Sequence, residues 1–266
     1  MSPSPDWRKD TRFYVPNEDA DAARLALACL RGCRGQAPRR PVFVTGSGML
    51  ALDLLPELDA GAEASCVDLS PFQQAWMARV MAAVEAASSP KDLRDWLAGE
   101  VLAEMNAFYA ARGRSYTLEG VLDALRRFFH IRFFFDGDWL ACVRERLGMV
   151  RNIQGDMVER VQQGGFDFAH FSNIVDYLPE AALHRLFGAC AAEGAPCFFV
   201  ETTACPDREA LARAWQAHGL RLHPASERIA AANCALGCRT SVRHWMRTGA
   251  VSLLLPPSPP SDNPRG

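Results

Sequence analysis

The sequence contains no long apolar run. No stretch approaches the ~20 residues needed to cross a bilayer. The opening stretch MSPSPDWRKDTRFYVPNED has no apolar segment behind its charges, so a secretory signal is not expected there. A strong charge of either sign is also absent. The formal net charge is −2, with no basic arm and no Lys/Arg stripe. Such a surface is not built to attract nucleic acid or anionic lipid. Metal-finger spacing is missing as well. Nine cysteines are scattered along the chain, and two pairs, Cys29 with Cys33 and Cys234 with Cys238, lack a second pair or a histidine at finger spacing. They read as reduced thiols packing as small apolar residues in a cytoplasmic protein, and no metal site is expected.

What is present is the balance of an ordinary globular protein. Of 266 residues, 49% are apolar and 23% charged. One substantial core fits this length, and a second full domain would be tight. The expected partner is a small-molecule substrate, with neither nucleic acid nor membrane; composition leaves the oligomeric state open.

Residues 1–41 read as a polar, proline-containing segment, mobile over its first ten or so residues, followed by the helical pattern DADAARLALACLRGC. The pattern then changes to a β-branched run, VFVT at 42–45, the turn Gly46-Ser47-Gly48, a helix MLALDLLPEL, and a second strand ending in Val67-Asp68. Strand, glycine turn, helix, strand is the first half of a doubly wound sheet. Residues 71–149 break the cadence and read as a helical insertion capping one side of the sheet. Within it, FHIRFFF at 129–135 reads equally as strand or buried helix. Strands are expected again at 149–153, 166–171, 196–202, 219–227 and 239–249. The prediction is an α/β, Rossmann-like domain over 42–250 with a mostly parallel seven-stranded sheet and an insertion after strand 2. The Pro/Ser-rich tail, 251–266, is expected to be disordered.

The strongest local signal is VFVTGSGML at 42–50. Ligands of open α/β sheets bind beyond the carboxyl ends of the strands, and a glycine turn lets the backbone approach them. Thr45, Gly46, Ser47 and Gly48 are therefore candidates. Asp68 ends the next strand, where an acid can accept from both ribose hydroxyls, with Leu69 beside it. The third glycine of the dinucleotide fingerprint is missing, and no Lys-Ser/Thr follows the turn, so neither a pyrophosphate site nor a P-loop fits. A ligand with ribose and no phosphate fits best, and S-adenosylmethionine is the common one. After the third strand, Asp156 reads equally as an acceptor for an adenine amino group or as a helix N-cap, with Met157 as its apolar neighbour. After the fourth, FDFAHFSNIVDYLP delivers Ser172 and Asn173, which can hold a methionyl amine. Tyr177 can set an aromatic face beside a sulfonium, whereas Asp176 reads equally as a functional acid or as a solvated or capping one.

Together, RFYVPNED at 12–19, the glycine turn, VDLSP at 67–71, the helical stretch to 149 and SNIVDYL at 172–178 resemble the class I S-adenosylmethionine-dependent enzymes. Within them the chain is most similar to those that move the 3-amino-3-carboxypropyl group, the betaine-lipid synthase type, and to the small bacterial azetidine-2-carboxylate synthases. It departs from the lipid enzymes in Ser70, where asparagine is usual, and in lacking a lipid-docking surface. The resemblance implies a class I methyltransferase fold and S-adenosylmethionine as substrate. It implies attack on the methionyl γ-carbon: cyclisation to azetidine-2-carboxylate with release of methylthioadenosine, or transfer to an external nucleophile, with plain methyl transfer as a further alternative. Tyr177 and Asn173 would then shape the methionyl end as the catalytic pair. Arg132 would hold the substrate carboxylate from an aromatic lid, Phe128 to Phe135, in which His130 reads as a structural histidine. Tyr14 would close over the ligand.

Overall fold

The computed structural model describes residues 12–16, 18–202, 207–230 and 248–257. The chain opens with helix α1 (Ala20–Arg34), whose N-cap is Asp19, accepting from the Asp21 N–H at 2.8 Å. Strand β1 (Pro41–Val44) leads through the glycine turn into the short helix α2 (Met49–Leu54) and then strand β2 (Ala64–Asp68). Ser70 caps helix α3 (Pro71–Ala86), with Pro71 at its first position, where its fixed φ and missing N–H cost nothing.

The expected helical insertion is present. After α3 come α4 (Pro90–Trp96), a π turn (Leu97–Val101), α5 (Leu102–Ala110), α6 (Leu118–Arg127) and α7 (Gly137–Glu145). The strand–helix alternation then resumes with β3 (Val150–Gln154), α8 (Met157–Gln162), β4 (Phe168–His170), α9 (Glu180–Ala192), β5 (Cys197–Thr202), α10 (Arg208–Gln216), β6 (Arg221–Leu222) and β7 (Thr248–Leu255).

The seven strands form one sheet in the order β3-β2-β1-β4-β5-β7-β6. Neighbours from β3 through β5 are parallel, and β7 runs antiparallel to both β5 and β6. That order, with its antiparallel seventh strand, is the Rossmann-like class I methyltransferase fold. Strand order reverses between β1 and β4, which opens a crevice at their carboxyl ends.

Alternation along the strands builds two cores. Phe43, Cys66, Phe168, Phe198 and Leu253 face α1, α2 and the insertion. Val42, Val67, Ala169, Phe199 and Leu254 face α8, α9 and α10. Both faces are covered, as a parallel sheet requires.

Four expectations are corrected or fall outside the description. The ambiguous FHIRFFF is neither strand nor helix but a turn. Asp53, fully buried in α2, draws it in: its Oδ1 accepts the N–H groups of Arg132 (2.7 Å) and Phe133 (3.2 Å). The sixth strand is two residues long. Pro224 has no N–H for a ladder, and beyond it Ser226 Oγ donates to the Leu253 carbonyl at 3.0 Å. The last strand ends later than 249, because Val251 to Leu255 belong to β7, with Leu253 opposite Phe198. Those five residues are therefore not part of a disordered tail. Their apolar side chains at 253 and 254 are buried on opposite faces of the sheet. The rest of the strand expected at 239–249, up to 247, the tail beyond 257 and the N-terminal residues to 11 lie outside the described residues.

Candidate functional site

The two turns that end β1 and β4 build the floor of the crevice. After β1, the Thr45 N–H donates to the Val67 carbonyl at 3.0 Å and the Gly48 N–H closes back on the Thr45 carbonyl at 2.6 Å. Gly46 (φ 49°) and Gly48 (φ 74°) are both left-handed, a conformation glycine takes without a Cβ clash. Gly48 has a second reason: a Cβ there would come within 2.1 Å of Met77 Sδ in α3. After β4, Ser172 is left-handed too, at φ 54°.

A cleft open to solvent lies here. Gly46 contributes from the β1 turn, and Asp68, Leu69 and Ser70 from the β2 end. Gly155, Asp156, Met157 and Val158 follow β3, and Ser172, Asn173, Ile174, Tyr177 and Leu178 follow β4. Among the described residues no lysine, arginine or histidine lines it, while two carboxylates do.

Asp68 is the pivot. Its Oδ1 accepts the Ser70 N–H at 2.9 Å and its Oδ2 the Gly46 N–H at 3.3 Å. Burial pushes its carboxyl up to about 6, against those two N–H groups, which pull it down. It is not the cap of α3; Ser70 has that role. Asp156 takes the N-cap reading and also lines the cleft. Its Oδ1 accepts the Val158 N–H of α8 at 2.7 Å. Tyr177 sits exposed at the rim, and partial desolvation of its hydroxyl, helped by the charge of Asp176, raises it above the usual phenol value. It is therefore a neutral phenol at neutral pH. Asp176 is buried rather than solvated.

Several predicted residues are elsewhere. Thr45, Ser47 and Gly48 shape the β1 turn without lining the cleft. Thr45 Oγ1 accepts from Gln74 Nε2 at 3.4 Å, and Ser47 Oγ from the Met49 N–H at 3.4 Å. Tyr14 is fully buried behind the cleft, edge-on to Phe72 and Trp76, with its hydroxyl donating to Glu104 Oε1 at 3.0 Å. Its neighbour Phe13 lines the cleft instead. The aromatic lid is not there: Phe129, Ile131, Phe133 and Phe134 are buried in the core beneath the insertion. Arg132 lies over the Trp139 ring at 4.7 Å and donates to Asp21 at 3.2 Å. The cause of both is the grip of Asp53 on the backbone of residues 132 and 133, which turns this segment away from the cleft. His130 is structural, as expected: its Nδ1 lies 2.8 Å from Asp19 Oδ1. Asp19, Asp21 and His130 offer ligand atoms within 4.8 Å of one another. The guanidiniums of Arg24 and Arg132 already stand on Asp21, however, so the cluster is charge-compensated without an ion.

Sequence reasoning missed Gln73. Fully buried in α3, its amide takes both backbone groups of Phe13: Oε1 accepts the N–H at 2.8 Å and Nε2 donates to the carbonyl at 3.1 Å. Nε2 also donates to the Gly46 carbonyl. One side chain thus ties the N-terminal strap to the glycine turn. The strap is held from outside by the Tyr109 hydroxyl, which donates to the Arg12 carbonyl at 2.8 Å. The only sequence signal was a polar residue on the first turn of an amphipathic helix, which normally reads as solvated.

No protein-family model matches the sequence, and no curated protein matches it. Solved structures are similar to it at low identity. The bifunctional kinase–methyltransferase WbdD aligns with 96% of this chain and 42% of its own at 12% identity, with a TM-score of 0.45. The cyclase SpnF aligns with 90% of this chain and 82% of its own at 13% identity, TM-score 0.42. StiE O-MT (residues 961–1257) aligns with 89% and 73% at 12% identity, TM-score 0.44. The chain thus spans 42% of the length of WbdD. The fold assignment stands on the strand order itself. Among the described residues, no helix is long and apolar enough to cross a membrane.

Proposed function

We propose that the cleft binds S-adenosylmethionine and that the chain is an enzyme acting on its methionyl γ-carbon. The observation that carries this reading is Asp68. A partly buried carboxylate stands at the end of β2, with the β1 glycine turn on one side and no cation in the cleft among the described residues. A ribose diol can donate to such a group, whereas phosphates would meet two carboxylates and no counter-charge. Asp156 and Met157 fit the adenine edge and face. Ser172 and Asn173 fit the methionyl end, with the Tyr177 ring as a face for the sulfonium. The ligand's positive charges suit a cleft lined by acids.

The preferred reaction is cyclisation. The substrate's α-ammonium releases one proton to solvent at the open rim, and the free amine attacks the γ-carbon. The carbon–sulfur bond breaks, its electron pair neutralises the sulfonium, and azetidine-2-carboxylate and methylthioadenosine are the products. Asn173 and Tyr177 would fold the methionyl chain so that nitrogen lies behind the carbon, in line with sulfur. No protein nucleophile is involved in such a displacement. Transfer of the same group to an external nucleophile is favoured by one feature, the exposed rim at Leu69 and Tyr177, through which an acceptor can enter.

Mass spectrometry after incubation with S-adenosylmethionine alone tests this. Azetidine-2-carboxylate and methylthioadenosine above a protein-free control are the expected products. Methylthioadenosine that forms only when an amine or phenol is added selects external transfer. S-adenosylhomocysteine overturns attack at the γ-carbon.

A further inference from the structure

Beneath the floor of the cleft lies an acid–imidazole pair that the reaction above does not use. His170, the last residue of β4, is 1% exposed, and Glu18, just ahead of α1, is 5% exposed. Glu18 Oε2 and His170 Nε2 face each other at 3.4 Å, and neither atom has another hydrogen-bond partner among the described residues. The imidazole packs between the rings of Phe43 (5.9 Å between centroids) and Phe198 (5.1 Å).

The other ring nitrogen fixes the tautomer. His170 Nδ1 accepts the Ser172 N–H at 3.3 Å. A nitrogen that accepts carries no proton, so the proton sits on Nε2, the ring edge from which Glu18 Oε2 stands 3.4 Å away. Burial pushes the Glu18 carboxyl up to about 8 and the imidazole down to about 4. Both are neutral at neutral pH, and the Nδ1 lone pair stays available.

That lone pair holds an unfavourable backbone. Ser172 has φ 54°, a left-handed conformation that a residue with a Cβ adopts only at a cost. The turn is pinned from β5 by the Val200 N–H, which donates to the Ser172 carbonyl at 2.9 Å. From the strained position Ser172 Oγ donates to Asn173 Oδ1 at 3.2 Å, and both residues line the cleft.

We propose that His170, its tautomer fixed by the Ser172 N–H it accepts, is a positioning residue whose Nδ1 holds the left-handed turn that carries Ser172 and Asn173 into the cleft. The functional consequence rests on the cleft being the S-adenosylmethionine site.

Two measurements test this, and one needs no ligand. Nitrogen NMR of the unliganded chain at neutral pH should find His170 as the Nε2–H tautomer; an Nδ1–H tautomer or an imidazolium overturns the proposal. Substitutions then sort by which atom they supply. His170→Asn places an oxygen near Nδ1, and S-adenosylmethionine affinity should stay within about threefold of wild type, whereas His170→Gln and His170→Phe lack that acceptor and should lose about tenfold. Adding Ser172→Gly to His170→Phe should recover much of the loss, since glycine takes the positive φ unaided. Thermal unfolding checks that each variant folds. Equal affinities for the Asn, Gln and Phe variants overturn the proposal. So does an equal loss in all three that Ser172→Gly leaves uncorrected, which would mark His170 as packing alone. Should the wild-type chain bind no S-adenosylmethionine, the reading of the cleft fails, and the tautomer by itself decides the fate of the turn proposal.

Discussion

Two aspartates invite comparison, Asp53 in α2 and Asp68 at the end of β2. Each accepts two backbone N–H groups, Asp53 from Arg132 and Phe133, Asp68 from Ser70 and Gly46. Burial pushes each carboxyl up to about 6. The difference lies in what completes the shell. Asp53 also takes the guanidinium of Arg24 and is sealed, with 0% exposure. Asp68 has no ion pair among the described residues, and it lines a cleft. A buried acid whose partners are all protein builds structure. Asp68 keeps acceptor capacity at the wall of the cleft, which the proposed function gives to a ribose.

The largest effect expected from this contrast is on stability. Asp53→Ala strips the buried Arg24 guanidinium of its most deeply buried partner, leaving it Asp21 and the His130 carbonyl, and releases the turn at residues 132–133. A loss of about 3–5 kcal/mol by denaturant unfolding is expected. A loss below about 1 kcal/mol would mean the shell of Asp53 is not structural.

Next in size is the pH dependence of ligand binding. Asp68 must be ionised to accept from two hydroxyls, and in the free chain it titrates at about 6. Protons therefore compete with the ligand below that value, and S-adenosylmethionine affinity should fall about tenfold between pH 7 and pH 5. Calorimetry in matched buffers reads this. The same burial has the opposite sign for folding. A carboxyl raised in the folded state favours the fold below its unfolded value, and that contribution is lost as pH rises through the folded one. A flat affinity profile would remove Asp68 from the site.

The smallest effect concerns His130, whose imidazole is raised by its hydrogen bond to Asp19. Its contribution to stability is present below the ordinary histidine value and lost as pH rises through the raised folded value. His130→Gln should cost about 1 kcal/mol in acid and less in alkali. A cost independent of pH would mean the ring acts by packing alone.

The sequence signals that worked were periodic or topological. Helical spacing located the insertion, and β-branched runs ending in Gly46 and Asp68 located the first strands and the crevice between them. Asp68, Asp156, Asn173 and Tyr177 were found because the fold sends the residues just past each parallel strand to the same rim. The failures share a cause. Arg132, Tyr14 and the aromatic run were assigned by chemical plausibility, while their positions are set by partners far along the chain: Asp53 for the turn, and Glu104 and Trp76 for Tyr14. Gln73 escaped notice for the same reason, because the backbone groups it serves, at Phe13 and Gly46, are 60 and 27 residues away. The extent of β7 was hidden by the prolines just beyond it.

Titration of the chain with S-adenosylmethionine and, separately, with ATP tests the central claim most directly. Saturable binding of the first and none of the second is expected. Asp68→Asn should weaken binding about 100-fold while its unfolding midpoint stays near wild type. Tighter binding of ATP, or an Asp68→Asn variant that binds S-adenosylmethionine as the wild type does, would contradict the account.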